Sequence, residues 1–421
     1  MERAIVMIAA VAVWGGLCYG RIITVDDDGP ADFNNIQAAI DDANDGDTVL
    51  VADGTYTGDG NRDIDFHGKA ITVRSENGPK NCIIDCNGTE AEPHRGFYFH
   101  SGEGPDSVLS GLTVTKGYAA EGGGICSNAN PSIENCIIIG NVARLWGGGI
   151  SWVAPTPHRS AGLSRCIIAG NRADSGGGIG LDAYDSTVPL TVRNCLVLGN
   201  TAMYDGGGIS TCVSGLADLV TFEACTFAGN SAESGGGLSC LEGNFVLRNC
   251  ILWGNSATIG PEIIILFDCH GAPPCTAVNI YYCDLEGGPA GVHGYSYYGE
   301  YGIFFREGNI DADPCFADPT QNDYHLKSQE GRWDSNEGGW TTDEVTSPCI
   351  DVGDPMSPIG LEPFPNAGRI NMGAYGGTTE ASKSYFGTAP CETIVAGDVN
   401  GDCKVNYLDF SLIARHWMEE H

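Results

Sequence analysis

Between residues 135 and 255 one pattern recurs: a short apolar run that alternates in phase and is closed by Gly-Asn. It reads Asn135-Cys-Ile-Ile-Ile-Gly-Asn141, Arg165-Cys-Ile-Ile-Ala-Gly-Asn171, Asn194-Cys-Leu-Val-Leu-Gly-Asn200, Ala224-Cys-Thr-Phe-Ala-Gly-Asn230 and Asn249-Cys-Ile-Leu-Trp-Gly-Asn255. The cysteines at 136, 166, 195, 225 and 250 lie 30, 29, 30 and 25 residues apart. Triple glycines beginning at Gly122, Gly147, Gly176, Gly206 and Gly235, each followed by Ile or Leu, keep the same phase. The runs are rich in β-branched residues and too short for amphipathic helices, so each copy predicts a set of short strands. A unit of this size cannot bury its own apolar face. Copies stacked in register can, each strand pairing with its equivalent one coil on at about 4.8 Å.

The predicted fold is therefore all-β, a parallel β-helix. Within each run one phase carries Cys136 and Ile138, Cys166 and Ile168, Cys195 and Val197, Cys225 and Phe227, Cys250 and Leu252, while the other admits Arg165 and Thr226. Burying the second phase would be costly, so the cysteine phase is expected inside. Asn141, Asn171, Asn200, Asn230 and Asn255 then predict an internal amide ladder. The cysteine column reads as small apolar filler, with a metal or redox ladder as the alternative.

Gly-Gly-Gly-Ile combined with Phe-x-x-Asn (Phe227 to Asn230, and Ile138 to Asn141 in weaker form) resembles the repeats of polymorphic outer membrane proteins and of right-handed parallel β-helix proteins of the pectin-lyase-like type. The resemblance spans about residues 22–380 and implies a right-handed β-helix. It does not select an activity, because that fold hosts lyases, hydrolases, adhesins and inert surface proteins. Phe33, Ile36, Ile40 and Ala43 recur at helical spacing and resemble an amino-terminal helical cap within residues 21–60, followed by a solenoid over 61–380. Further coils are expected at Ala70 to Val73, Cys82 to Ile84 and Leu109 to Thr115. Beyond Asn255 the repeat decays. Cys269, Cys275 and Cys283 are placed to staple a loop, and Tyr295, Tyr297, Tyr298, Tyr301, Phe304 and Phe305 form an aromatic cluster. The segments around Cys315, Tyr324, Cys349 and Asn371 resemble closing coils that hide the last rung, with Cys315–Cys349 as a disulfide there.

The apolar run Ala4 to Val13 behind Arg3, with small residues before position 21, reads as a secretory signal over 1–20. Leu17 ahead of Cys18 disfavours lipid attachment. No other stretch reaches the ~18 apolar residues of a membrane span, and a secreted or cell-surface location permits disulfides. Acidic residues outnumber basic ones 54 to 21, a formal charge of −33. Nucleic acid is excluded as a main partner. A polyuronate could approach only across bridging cations, so neutral polysaccharide and calcium are easier partners.

At the carboxy terminus, after a linker over 381–396, the segment 397–421 spaces oxygen donors as a hard cation requires: Asp398, Asn400, Asp402, the carbonyl of Lys404, Asn406 and Asp409. Calcium is the expected cofactor. Leu408, Leu412, Phe410, Ile413 and Trp417 then predict an amphipathic helix. This loop-helix resembles one dockerin repeat. It departs from the pattern in having Cys403 where a turn glycine is usual, with Cys391 as a disulfide partner for it. A single repeat in place of the two of cohesin-binding dockerins leaves cohesin-like binding, surface attachment and dimerisation as its roles.

Carboxylates precede four triple glycines: Glu121, Asp174, Asp205 and Glu233. On successive coils they could form a stripe that serves as acid and base on a glycosidic bond or holds calcium against a uronate. A solvated acidic edge is the plain alternative, and Trp146 and Ser175 interrupt the stripe. His94, His100 and His158 lie in loops. The chain is thus expected to act on or bind extracellular polysaccharide, as a lyase or hydrolase, with a noncatalytic cell-surface adhesin or structural protein as the alternative.

Overall fold

A computed structural model of the chain describes residues 20–154, 162–184, 190–214, 219–241, 243–267, 276–296 and 302–384, together with 405, 407, 409–411 and 414. The signal segment, apart from Gly20, and most of the calcium loop lie outside the described residues.

The chain coils into a parallel β-solenoid with few helices. Strands in equivalent positions of successive coils stack into four parallel sheets. Sheet A has 11 strands from Ile22–Val25 to Gly302–Phe305, and sheet B has nine from Gly54–Thr57 to Asp284–Leu285. Sheet C has eight from Phe97–Phe99 to Val292–Ser296. Sheet D has four short ones, from Tyr118–Glu121 to Thr201–Ala202, at the corner before the triple glycines. Register is kept residue for residue: Ile133, Leu163, Val192, Phe222, Leu247 and Ile280 form one inward file. Among the described residues no helix is long and apolar enough to cross a membrane.

The cysteine phase of sheet B points inward and is buried, as the pattern required. The asparagines form the amide ladder. Asn141 Nδ2 donates to Asn171 Oδ1 at 3.1 Å, Asn171 to Asn200 and Asn200 to Asn230 at 3.0 Å, and Asn230 to Asn255 at 2.9 Å. From Asn171 on, each Oδ1 also accepts the backbone N–H of the preceding ladder residue, and each Nδ2 also donates to a carbonyl one coil back. The ladder ends on a residue that its period does not include. Asn255 Nδ2 donates to Glu262 Oε2 at 2.6 Å, and burial pushes that carboxyl up to about 8.

The corner between sheets A and B is tight because the residue before each core cysteine adopts a left-handed backbone: Asn135, Arg165, Asn194, Ala224, Asn249 and Tyr282, with φ between 48° and 54°. Asparagine takes this conformation readily, whereas for alanine it costs about 1–2 kcal/mol. Ala224→Gly is expected to raise stability by about 1 kcal/mol, read as a higher urea midpoint, and an unchanged or lower midpoint refutes the account.

At the amino-terminal end the helix Ile36–Asp42 is capped by Asn35, which accepts from Ala38 N at 2.9 Å, and it buries Ile36, Ala39 and Ile40. Phe33, grouped with these residues by spacing, lies outside the helix in a bridge to Val25. The helix is a single short element because Ala43 already returns to an extended backbone.

The carboxy-terminal segment takes a course that the sequence reading did not include. It touches the last rung through Asp284 and Tyr282 and folds back over the outer flank of sheet B. Phe316, Tyr324, Leu326, Cys349, Ile350, Met372 and Ala374 pack on Ala169, Leu196, Leu198, Ala228 and Ile251, which face away from the core. The polar contacts reach equally far back: Asn194 Nδ2 donates to the carbonyls of Ala374 and Gly376, and Thr226 Oγ1 accepts from Ala374 N. The outer phase of sheet B is apolar in the middle coils because this flap covers it. Inside the flap, His325 is buried between Asp323 at 2.6 Å and Glu380 at 3.3 Å and stacks on Tyr375 at 3.6 Å. At the last rung Phe304 and Phe305 are exposed and Arg306 lies over Phe304. Tyr297, Tyr298 and Tyr301 of the aromatic cluster lie outside the described residues.

Cys315 and Cys349 are both free thiols, so the disulfide expected between them is absent. Cys349 Sγ instead donates to Asp284 Oδ2 at 3.0 Å, which ties the flap to the last strand of sheet B. Cys283 is also free and extends the core column, so it does not staple a loop; Cys269, Cys275, Cys391 and Cys403 lie outside the described residues. Alkylation of the unreduced protein followed by peptide mass spectrometry is expected to find Cys315 and Cys349 as labelled thiols, and a cross-linked Cys315–Cys349 peptide would contradict the thiol assignment.

Candidate active site

The four carboxylates fall in two adjacent files instead of one stripe. The register is set by the triple glycines, whose backbones stack because a Cβ there would strike the next coil: at Gly207 it would meet Gly236 O and Ser231 O at 2.5 Å. Directly before them stand Glu121, Trp146, Ser175, Asp205 and Ser234, with Trp146 aligned on Glu121 and Ser175, and Asp205 on Ser234. One residue earlier run Leu145, Asp174, Tyr204 and Glu233, linked by Ser175 N to Leu145 O, Tyr204 N to Asp174 O and Ser234 N to Tyr204 O. Asp174 and Glu233 therefore flank Tyr204 from the coils on either side, their backbones two rungs, or about 10 Å, apart. Glu121 and Asp205 are three rungs apart, so Glu121 does not join the group.

Asp174, Asp205 and Glu233 gather around exposed apolar surface. Tyr204 is 48% and Met203 61% exposed, and Leu145 and Ile259 are exposed beside them. Asp205 is half-buried, and burial together with the charge of Glu233 pushes its carboxyl above the ordinary range. Two acids on neighbouring coils, one held toward its neutral form beside a more exposed partner, are the elements of general acid and base catalysis. Tyr204 supplies a flat, half-open ring of the kind that packs against a sugar.

Trp146 forms one wall. Its indole lies on the outer face of sheet C over Gly180, where a Cβ would approach Nε1 to 2.3 Å, and that Nε1 is buried without a hydrogen-bond partner. The aligned outward positions of sheet C are small, Ser151, Gly180, Ser210 and Ser239, so the floor beside the acids is shallow.

The sequence singled out all three of these acids together with Glu121, which stands apart, but missed Tyr204, Met203 and the contact of the wall tryptophan. His94 pairs with Asp63 at 2.6 Å, far from this corner on the early coils. His158 lies outside the described residues. Of the calcium-loop residues, Asp409 is helical and buried, and Asp398, Asn400, Asp402, Lys404 and Asn406 lie outside the described residues.

The profile of a family described as disaggregatase related matches residues 294–353, from the last rung into the flap. No curated protein matches the chain. Among solved structures, the crystal structure of pectate lyase Pel9A is similar at 15% identity, covering 85% of this chain and 97% of that one with a TM-score of 0.47.

Proposed function

We propose that the chain is an extracellular protein that cleaves an extended polysaccharide at the corner bearing Asp205 and Glu233. The carrying observation is the raised, half-buried Asp205 next to Glu233 on the following coil, beside exposed Tyr204. In this reading Asp205 protonates the glycosidic oxygen as general acid, Glu233 acts from the neighbouring rung as base or nucleophile, and Tyr204 and Met203 pack against the sugar rings. Asp174, one coil before Tyr204, binds ring hydroxyls. Neutral glycans suit the net charge of −33 better than uronates. Residues 1–20 direct export, the helix Ile36–Asp42 shields the first coil, and the tail loop holds calcium to attach the protein to a surface or a cohesin-like partner.

A second reading, glycan binding without turnover, is favoured by the exposed patch of Leu145, Met203, Tyr204 and Ile259, which would serve an adhesin equally well. Incubating the protein with a panel of neutral and acidic glycans, with calcium or chelator, separates the two. New reducing or unsaturated ends that disappear in Asp205→Asn support cleavage. Retention on glycan beads without product, lost in Tyr204→Ala, supports the adhesin, and neither product nor retention overturns both.

A further inference from the structure

The flap carries one ionisable group whose two protonation states fit its surroundings very differently. His325 stands on the strand Asp323–Leu326 with 2% of its side chain exposed, and each of its ring nitrogens faces a carboxylate. Nδ1 lies 2.6 Å from Asp323 Oδ1, and Nε2 lies 3.3 Å from Glu380 Oε2. The ring stacks on Tyr375 at 3.6 Å. Asp323 Oδ1 also accepts the backbone N–H of His325, and Asp323 Oδ2 accepts from Arg332, which Asp343 holds in turn at 3.1 Å. Asp323, Arg332, Asp343, Tyr375 and Glu380 are thus the charged and titratable groups set around the ring, from the strand, the segment 332–343 and the turn 375–380.

A neutral imidazole has a single N–H. Whichever nitrogen carries it, the other turns a lone pair toward a carboxylate oxygen at a buried position. Only the imidazolium donates on both sides. Burial by itself disfavours that charge, and the hydrogen bonds and charges of Asp323 and Glu380 outweigh it, so the ring keeps its proton above the ordinary 6.5. The two carboxylates belong to different parts of the flap. Glu380 ends a turn in which Thr378 N and Oγ1 donate to Tyr375 O and Glu380 N donates to Thr378 Oγ1. The start of that turn is seated on sheet B, where Ala374 N donates to Thr226 Oγ1 and Asn194 Nδ2 donates to the carbonyls of Ala374 and Gly376. The imidazolium is therefore the ionic join between the strand of the flap and the turn that seats it on the solenoid.

We propose that His325 is a pH-sensitive latch: protonated, it clamps the turn 375–380 to the strand Asp323–Leu326, and loss of the ring proton releases the turn from the strand and from its seat at Asn194 and Thr226. A histidine whose folded-state pKa is raised contributes stability that is fully present below the unfolded value of about 6.5 and is lost as pH rises through the folded one. The latch is closed in mildly acidic solution and opens toward alkali. Lifting the turn thins the cover over the outward Leu196, Leu198 and Ile251 of sheet B. Glu362 accepts Gly377 N at 2.8 Å and is pushed up to about 8 by burial, which gives the same turn a second pH dependence of the same sign. The latch does not depend on cleavage at Asp205.

The test is hydrogen exchange of the full-length chain between about pH 6 and about pH 9, with each rate corrected for intrinsic exchange. In the wild type, protection of the amides at 372–381 is expected to fall by up to about tenfold per pH unit above about pH 6.5, while the coils at 48–85 stay protected. His325→Gln is neutral at every pH. It is expected to lack, already at about pH 6, the whole factor of protection that the wild type loses through the histidine step, and to keep only the change due to Glu362. Glu380→Gln changes a half-exposed residue that can still accept the Nε2 hydrogen, and with one charge fewer on the ring the opening should begin at lower pH. Imidazole NMR gives a second readout: the His325 ring should titrate above about 6.5 in the wild type and lower in Glu380→Gln. Equal protection of 372–381 at about pH 6 in the wild type and in a folded His325→Gln would overturn the proposal. So would a Glu380→Gln profile identical to that of the wild type, or a His325 ring that titrates below about 6.5. If His325→Gln does not fold, the last two results decide.

Discussion

Asn200→Ala is expected to destabilise the solenoid by about 3–5 kcal/mol, because one side chain serves four hydrogen bonds in a place without water. Its Oδ1 accepts Asn171 N at 2.9 Å and Asn171 Nδ2 at 3.0 Å, and its Nδ2 donates to Ile168 O at 2.9 Å and to Asn230 Oδ1 at 3.0 Å. Alanine leaves Asn171 N–H and the Ile168 carbonyl without these partners in the core, each at a desolvation cost of about 1–3 kcal/mol. Stability in stacked repeats is largely a sum over neighbours, so the damage should be local. Hydrogen exchange is expected to rise in the coils around residues 171 and 230 and to stay near wild type in the first coils at 48–85. Asn81→Ala, on the surface, should change stability by less than about 0.5 kcal/mol. Uniform exchange throughout the rod, or a loss no larger than that of Asn81→Ala, would show that the ladder does not hold the coils together.

What the sequence discloses and what it withholds follow from periodicity. The ladder, the inward cysteine phase and the parallel stacking were legible because each rests on the same residue type returning after about 30 positions, and a column needs no knowledge of anything outside itself. Glu262 was not legible. It ends the ladder from a position only seven residues beyond Asn255, out of phase, and its role appears only when the last amide needs an acceptor. The fold-back of the flap was not legible for the same reason. Its contacts, such as Asn194 with Ala374 and Cys349 with Asp284, are single events between segments 65 to 180 residues apart that no repeat announces. The outward Leu196, Leu198 and Ile251 carried a signal, since apolar residues on both phases of a strand predict cover on both faces. At the site, counting back from the glycines found the acids. The offset of one residue between Asp205 and its neighbours Asp174 and Glu233 is visible in the same count, but that the intervening Tyr204 and Met203 stand exposed beside them is not, because exposure depends on what the neighbouring coils leave uncovered.

The division of labour between Asp205 and Glu233 makes the proposed cleavage testable through pH. Burial and the neighbouring charge raise the Asp205 pKa, so the carboxyl keeps its proton to higher pH than a free aspartate does. A general acid works only while protonated, so turnover should be present below that pKa and lost as pH rises through it. Asp205→Asn cannot supply a proton, and kcat is expected to fall about 10²- to 10⁴-fold with the alkaline limb of the profile abolished. The variant should not unfold. A group whose folded pKa is raised contributes stability below its unfolded pKa and loses it as pH rises, so a neutral amide removes a cost at neutral pH. Glu233→Gln removes the second acid and should also lower kcat, while Glu121→Gln, three rungs from Asp205, should leave it unchanged. Binding of the intact glycan in Asp205→Asn is expected to stay within about threefold of wild type, because the sugar is held by Tyr204 and Met203 and not by the proton. Turnover that survives Asp205→Asn with its pH profile intact would move the chemistry off this corner.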